Sequence, residues 1–140
     1  MSTDTTNETI RYTADVVVLT PSGYILLVRR DWPPFEGDWA LPGGCAEPGE
    51  DIHVTAAREL AEETDVRVHA GDLHKIGVWD KPGRDPRGRY ITTAYTVVVP
   101  DDTLVIAGDD ARDACWWPLD ALPDLLAFDH AEIVAAAANR

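Results

Sequence analysis

Cysteine is nearly absent from this 140-residue chain, where Cys45 and Cys115 are the only two. Two thiols are too few for a disulfide framework, and their separation matches no zinc-ligand spacing. Cations are scarce as well. Twelve Lys and Arg stand against twenty-five Asp and Glu, a net charge of −13 with a sequence pI near 4.4. That balance argues against an extended nucleic-acid groove, which needs clustered cations facing phosphates. A small phosphorylated ligand stays open, provided something local supplies positive charge. Long apolar runs are missing too: residues 14–19 form one of the longest, and it contains Asp15, whereas a membrane helix needs about 20 residues. Residues 1–9 are polar and acidic, unlike the basic start and apolar run of a secretory signal. These absences predict a cytoplasmic protein with no membrane or nucleic-acid partner. A disordered tail is expected over residues 1–10 and a single domain over 11–140, a length at which one sizeable core is ordinary.

What is present reads as alternating strands and helices. The aliphatic runs 16–19 and 25–28 flank a Thr-Pro-Ser-Gly turn, which predicts a hairpin. A Pro/Gly-rich loop over 31–38 leads to a short extended piece at 39–41 and a second loop through Gly49. Residues 51–64 are helical in pattern. Strands are expected at 66–68, 73–79, 90–99 and 114–117, the third being richest in β-formers. Asp129 followed by Glu132 resembles a capping box opening a last helix. Strands before and after a central helix suggest an α+β fold, with a mixed sheet packed between helices.

The helix over 51–64 carries the chemistry. Projected at 100° per residue, Val54, Ala57, Leu60, Ala61 and Thr64 form the expected buried face, opposite Arg58, Glu59, Glu62 and Glu63. A charged helix face is ordinarily just solvated. Here, however, Glu59 has Glu62 at i+3 and Glu63 at i+4, so like charges repel by a few tenths of a kcal/mol per pair. Three carboxylates on one turn instead suit an oxygen cage for Mg²⁺ or Mn²⁺. The preceding Pro42-Gly43-Gly44 lets backbone carbonyls approach the same cage. Arg58 can pair with Glu62 or reach back to Glu50.

Gly44, Glu50 and the run from Arg58 to Val66 resemble the Nudix box, G-x5-E-x7-R-E-U-x-E-E-x-G-U, where U is bulky and aliphatic. Eight of the nine specified positions match, and Asp65 replaces the family's glycine. The resemblance continues through residues 39–44 before the box and 117–123 after it, covering about residues 11–138. It implies an α/β/α sandwich with a mixed central sheet, the box forming a loop–helix–loop. It also implies metal-dependent hydrolysis of a nucleoside diphosphate linked to another moiety. By that analogy Glu59 and Glu63 are the principal metal ligands, Glu62 supports them and the Gly43 carbonyl contributes. Arg58 would orient the glutamates and Glu50 would hold the loop. Glu59 or Glu62 could take the proton as general base, but some relatives use an acid outside the box, for which Asp129 and Glu132 are the candidates, beside their reading as helix caps.

Substrate clues favour ADP-ribose, split to AMP and ribose 5-phosphate. Pro82 lies sixteen residues after Val66, about the spacing seen in ADP-ribose pyrophosphatases, and Asp85-Pro86-Arg87-Gly88 resembles the same branch. That branch includes transcription regulators with an added winged-helix domain, which a chain ending at Arg140 is expected to lack. Arg29, Arg30 and Arg87 are candidate phosphate contacts, because guanidinium groups grip phosphate bidentately. Trp32, Phe35 and Trp39 flank the loop before the box, where a ring could stack on adenine. The alternatives are a nucleoside triphosphate pyrophosphohydrolase and a non-catalytic nucleotide sensor. A homodimer is common among such relatives and stays open here.

Overall fold

The continuous aliphatic runs in the first two strands are what a sheet covered on both faces requires. The computed structural model describes residues 9–108 and 111–139. Its strands are β1 (Ile10–Leu19), β2 (Tyr24–Arg30), β3 (Trp39–Ala40), β4 (Gly43–Cys45), β5 (His74–Trp79), β6 (Arg89–Val98) and β7 (Ala111–Pro118). Its helices are α1 (Ile52–Thr64) and α2 (His130–Ala138), with a 3₁₀ turn at Ala70–Asp72. The sheet runs β3-β2-β1-β6-β5, with β4 added to β1 and β7 to β2. β1 and β6 are parallel from Ile10↔Arg89 to Leu19↔Val98, and the other pairings are antiparallel.

Alternation along the central strands builds two cores. Ala14, Val16 and Val18 of β1 join Leu26, Tyr95 and Val97 beneath Ala56 and Leu60 of α1. Val17 joins Ile25, Leu27 and Ala94 against Ile133, Val134 and Ala137 of α2. The result is the expected α+β architecture, a mixed sheet between two helical layers. Among the described residues no helix is long and apolar enough to cross a membrane.

Several expectations shift. Residues 1–8 of the expected tail lie outside the described residues, and Ile10 already opens β1. β4 stands where a loop was expected, since glycine is a poor strand signal. Residues 66–68 form no strand: Val66 is buried in the α1 core, so the segment alternates like a strand without joining a ladder. The α1 projection also needs rotating. Thr55, Ala56, Leu60 and Thr64 are buried while Val54 is 41% exposed, which places Glu59 and Glu63 beside the sheet edge instead of opposite it.

α1 ends at Asp65, whose φ of 62° and ψ of 11° are left-handed. That conformation suits the glycine found in the family pattern better than aspartate. A carboxylate there also faces the negative end of the helix dipole, unfavourable by roughly 0.3–1 kcal/mol. Its ion pair with Arg67 joins exposed groups and offsets little. Asp65→Gly should therefore raise apoprotein stability by up to about 1 kcal/mol, after the unfolded-state entropy of glycine is subtracted. Thermal denaturation checks this, and a lowered melting temperature would mean the entropy of the unfolded chain dominates.

Candidate active site

Two glycines set the geometry because no side chain fits where they sit. A Cβ on Gly43 would run into the Ala14 carbonyl and Asp15, and one on Gly44 would overlap the Glu59 carboxylate. This close approach lets β4 lie against β1 and brings α1 to the same edge. The Gly43 amide donates to Glu63 Oε1 at 2.7 Å. Glu59, Glu63, Gly43 and Gly44 line one cleft of about 320 Å³, within the range of small-molecule sites.

Arg58 organises the turn before and within α1. Its Nε donates to Glu50 Oε2 at 2.8 Å and its Nη2 to Glu50 Oε1 at 2.9 Å and the Cys45 carbonyl at 3.0 Å. Its Nη1 reaches Glu59 at 3.0 Å and Glu62 at 3.2 Å. Both partners foreseen for Arg58 are thus engaged. Arg58, the Glu47 amide and the Thr55 hydroxyl stabilise the Glu50 carboxylate and hold its pKa down to about 2.

The three-carboxylate convergence is not present. Glu62 is 57% exposed, reaches out to Arg58 and does not line the cleft. Among the described residues no three carboxylate, imidazole or thiol groups gather as a metal-binding set. The cleft pair still suits Mg²⁺ or Mn²⁺, because a hard cation such as Mg²⁺ is held by one or two carboxylates and completes its shell with water and substrate phosphates. Glu59 and Glu63 are oxygen donors of that kind, and Gly43 lines the same cleft.

Arg29, Arg30 and Arg87 line the same cleft. Arg29 donates to the Gly37 carbonyl at 2.8 Å and Arg30 to the Pro34 carbonyl at 2.7 Å, both neutral acceptors. Burial and the nearby Arg87 charge lower the Arg30 pKa. Arg87 is paired with Asp85 at 2.7 Å and lies 4.7 Å from the centre of the Tyr90 ring. Asp85 is 4% exposed. Burial pushes its pKa up, but the bonds from Arg87 and the nearby Arg84 charge prevail and hold it below the ordinary value.

Three sequence candidates sit elsewhere. Trp39 does not line the cleft: it packs edge-on to Trp117, 5.3 Å between centres, in the α2 core. Glu132 is exposed on α2. Asp129 occupies the N-cap position without a side-chain cap, because Arg84 takes both of its oxygens at 2.6 and 2.9 Å. Neither acid lines the cleft.

The cleft also holds residues that sequence reasoning passed over, among them Asp15, Phe128 and His130. Asp15 had a visible signal, a lone acid inside an apolar strand. Phe128 had none, since its place under Arg30, 4.9 Å from the ring centre, is tertiary. Burial opposes the charge on Asp15. His130, the Thr92 hydroxyl at 2.6 Å and Arg84 together outweigh it, and the carboxyl stays below its usual range.

Residues 9–137 match a family model described as NUDIX domain. The chain is 40% identical over 117 residues to an ADP-ribose pyrophosphatase of Methanocaldococcus jannaschii, covering 84% of this chain and 67% of the relative. The NUDIX domain of Shewanella oneidensis NrtR, solved with ADP ribose, superposes with a TM-score of 0.83 at 30% identity, covering 99% of this chain and 93% of that one. A bifunctional NMN adenylyltransferase/ADP ribose pyrophosphatase of Francisella tularensis, solved with AMP and a Mn ion, gives a TM-score of 0.81 at 32% identity, covering 94% and 42%. The chain spans less than half the length of several other curated relatives it matches.

Proposed function

The chain belongs to the Nudix family, and we propose that it hydrolyses the phosphoanhydride of a nucleoside diphosphate linked to another moiety, with ADP-ribose as substrate. The observation that carries this reading is the cleft itself, where Glu59 and Glu63 share one space with Arg29, Arg30 and Arg87. On a chain of net charge −13 such a cluster of arginines is where an anion gains attraction. Nudix enzymes generally use divalent metal ions. In this reading Glu59, Glu63 and the Gly43 carbonyl hold Mg²⁺ or Mn²⁺, and Glu62 acts on them only through Arg58. The ion, when bound, neutralises pyrophosphate charge and lowers the pKa of a bound water.

The chain's own residues do the remaining work. Arg58 and Glu50 hold the Glu59 end of the helix against the preceding loop. The Gly43 amide orients Glu63. Arg29, Arg30 and Arg87 grip the diphosphate, and water divides ADP-ribose into AMP and ribose 5-phosphate. The resemblance to enzymes acting on ADP-ribose supports that substrate.

Product analysis with Mg²⁺, on ADP-ribose and a nucleoside triphosphate panel, tests the reading. AMP and ribose 5-phosphate are expected. Preferred release of pyrophosphate from a triphosphate would establish the nucleotide-pool alternative, and binding without products a sensor. Arg87→Gln keeps a donor for buried Asp85 but removes the cation. It should raise KM for ADP-ribose roughly 10-fold with kcat little changed, the signature of lost uniform binding. Steady-state kinetics checks this, and an unchanged KM would confine Arg87 to holding Asp85.

A further inference from the structure

The cleft floor contains a buried polar couple that the proposed mechanism leaves unused. Asp15 is 8% exposed, His130 3% and Thr92 0%. Asp15 lies on the α2 face of β1, where its neighbour on that face, Val17, simply packs into the apolar core with Ile133 and Ala137. Packing alone would be served at least as well by another aliphatic residue, since buried ionic groups often stabilise less than apolar ones of similar volume. His130 Nδ1 accepts the Leu41 amide at 3.0 Å, which leaves the ring proton on Nε2. Nε2 faces Asp15 Oδ2 at 3.6 Å, and the Thr92 hydroxyl donates to that same oxygen.

The strap over residues 41–43 is where this leads. Leu41 is bonded to α2 through His130, the Pro42 carbonyl accepts the Val16 amide of β1 at 3.0 Å, and the Gly43 amide meets Glu63 of α1. Three consecutive residues are tied to three different elements. Leu41 lies just past the end of β3, so its acceptor comes from a side chain.

We propose that His130 is a positioning residue: with Asp15 beside its Nε2, it accepts the Leu41 amide through Nδ1, so that Gly43 stays at the metal-binding edge beside Glu63. This rests on the reading of Glu63 and Gly43 as that edge. Two variants separate the arms of the imidazole. His130→Asn keeps an acceptor where Nδ1 sits and gives up the reach to Asp15. His130→Gln keeps a donor where Nε2 sits and leaves the Leu41 amide buried without its acceptor.

Mn²⁺ alone is titrated calorimetrically into the wild type and both variants, and kcat and KM for ADP-ribose are measured with Mg²⁺. His130→Asn should stay within about threefold of wild type in Mn²⁺ affinity and kcat. His130→Gln should weaken Mn²⁺ at least about tenfold and lower kcat, with KM for ADP-ribose within about twofold. Wild-type Mn²⁺ affinity in His130→Gln, or equal losses in both variants, would overturn the proposal. Should His130→Gln not fold, the wild type decides. The Leu41 amide should exchange as slowly as the Val16 and Val17 amides, with Nδ1 unprotonated by ¹⁵N NMR. Loop-like exchange or a protonated Nδ1 would overturn it. If the wild type cleaves no ADP-ribose, the substrate reading fails while the Mn²⁺ titration still judges the strap.

Discussion

Glu63→Gln is expected to lower kcat by roughly two to three orders of magnitude while leaving the fold intact. The amide matches the carboxylate in shape and can still accept the Gly43 amide, so the bond between β4 and α1 survives. What disappears is the charge of one of the two glutamates lining the cleft. A cation held by so few charged donors should lose affinity in parallel, by about 10-fold or more. Circular dichroism and thermal melting would verify the fold, and kinetics over a Mg²⁺ series would separate weakened binding from slower chemistry. Near-normal turnover with unchanged Mg²⁺ dependence would remove Glu63 from the ligand set.

The neighbouring glycines should respond in opposite ways. A Cβ on Gly43 meets backbone, the Ala14 carbonyl, so Gly43→Ala forces β4 away from β1. That should destabilise the protein by about 3 kcal/mol, in the range of overpacked cores. The nearest atoms to a Cβ on Gly44 are the end of the Glu59 side chain, which can rotate. Gly44→Ala should therefore melt within a few degrees of wild type, yet lose about 100-fold in kcat, because a displacement near 1 Å at a reacting centre has that effect. Melting curves and kinetics on the pair check the contrast. If Gly44→Ala kept full activity, the position of Glu59 in the cleft would not matter for turnover.

Local pattern carried much of this protein into view. The runs of β1 and β2 announced strands buried on both faces, and the sheet between α1 and α2 followed from element order. The spacing from Gly44 through Glu50 to Glu63 placed one loop and one helix together, because those residues are near neighbours in the chain. Asp65 marked the end of α1 from the sequence and has the left-handed backbone that a glycine replacement suggests.

Where signals were ambiguous, the local reading went astray for identifiable reasons. Residues 66–68 have strand-like residues but no ladder to join, while β4 joins a ladder in which Gly43 and Gly44 leave no room for a side chain. Asp129 looked like a cap because the pattern at 129–132 describes only its own helix, whereas Arg84 arrives from 45 residues away. Trp39 looked like a stacking ring until Trp117 claimed it.

By itself, then, the sequence determined the layers, the box helix and the acidic character of its exposed turn, all set by short-range periodicity and steric preference. Only the tertiary structure decided which acids share the cleft, since Arg58 draws Glu62 outward while Gly43 and Gly44 admit Glu63 and Glu59. It alone brought Asp15 from β1, Thr92 from β6 and His130 from α2 to one buried point. Those contacts span 77 or more residues, and no local propensity encodes them. They exist because packing two helices on opposite faces of one sheet buries these side chains together, where each polar group must find a partner.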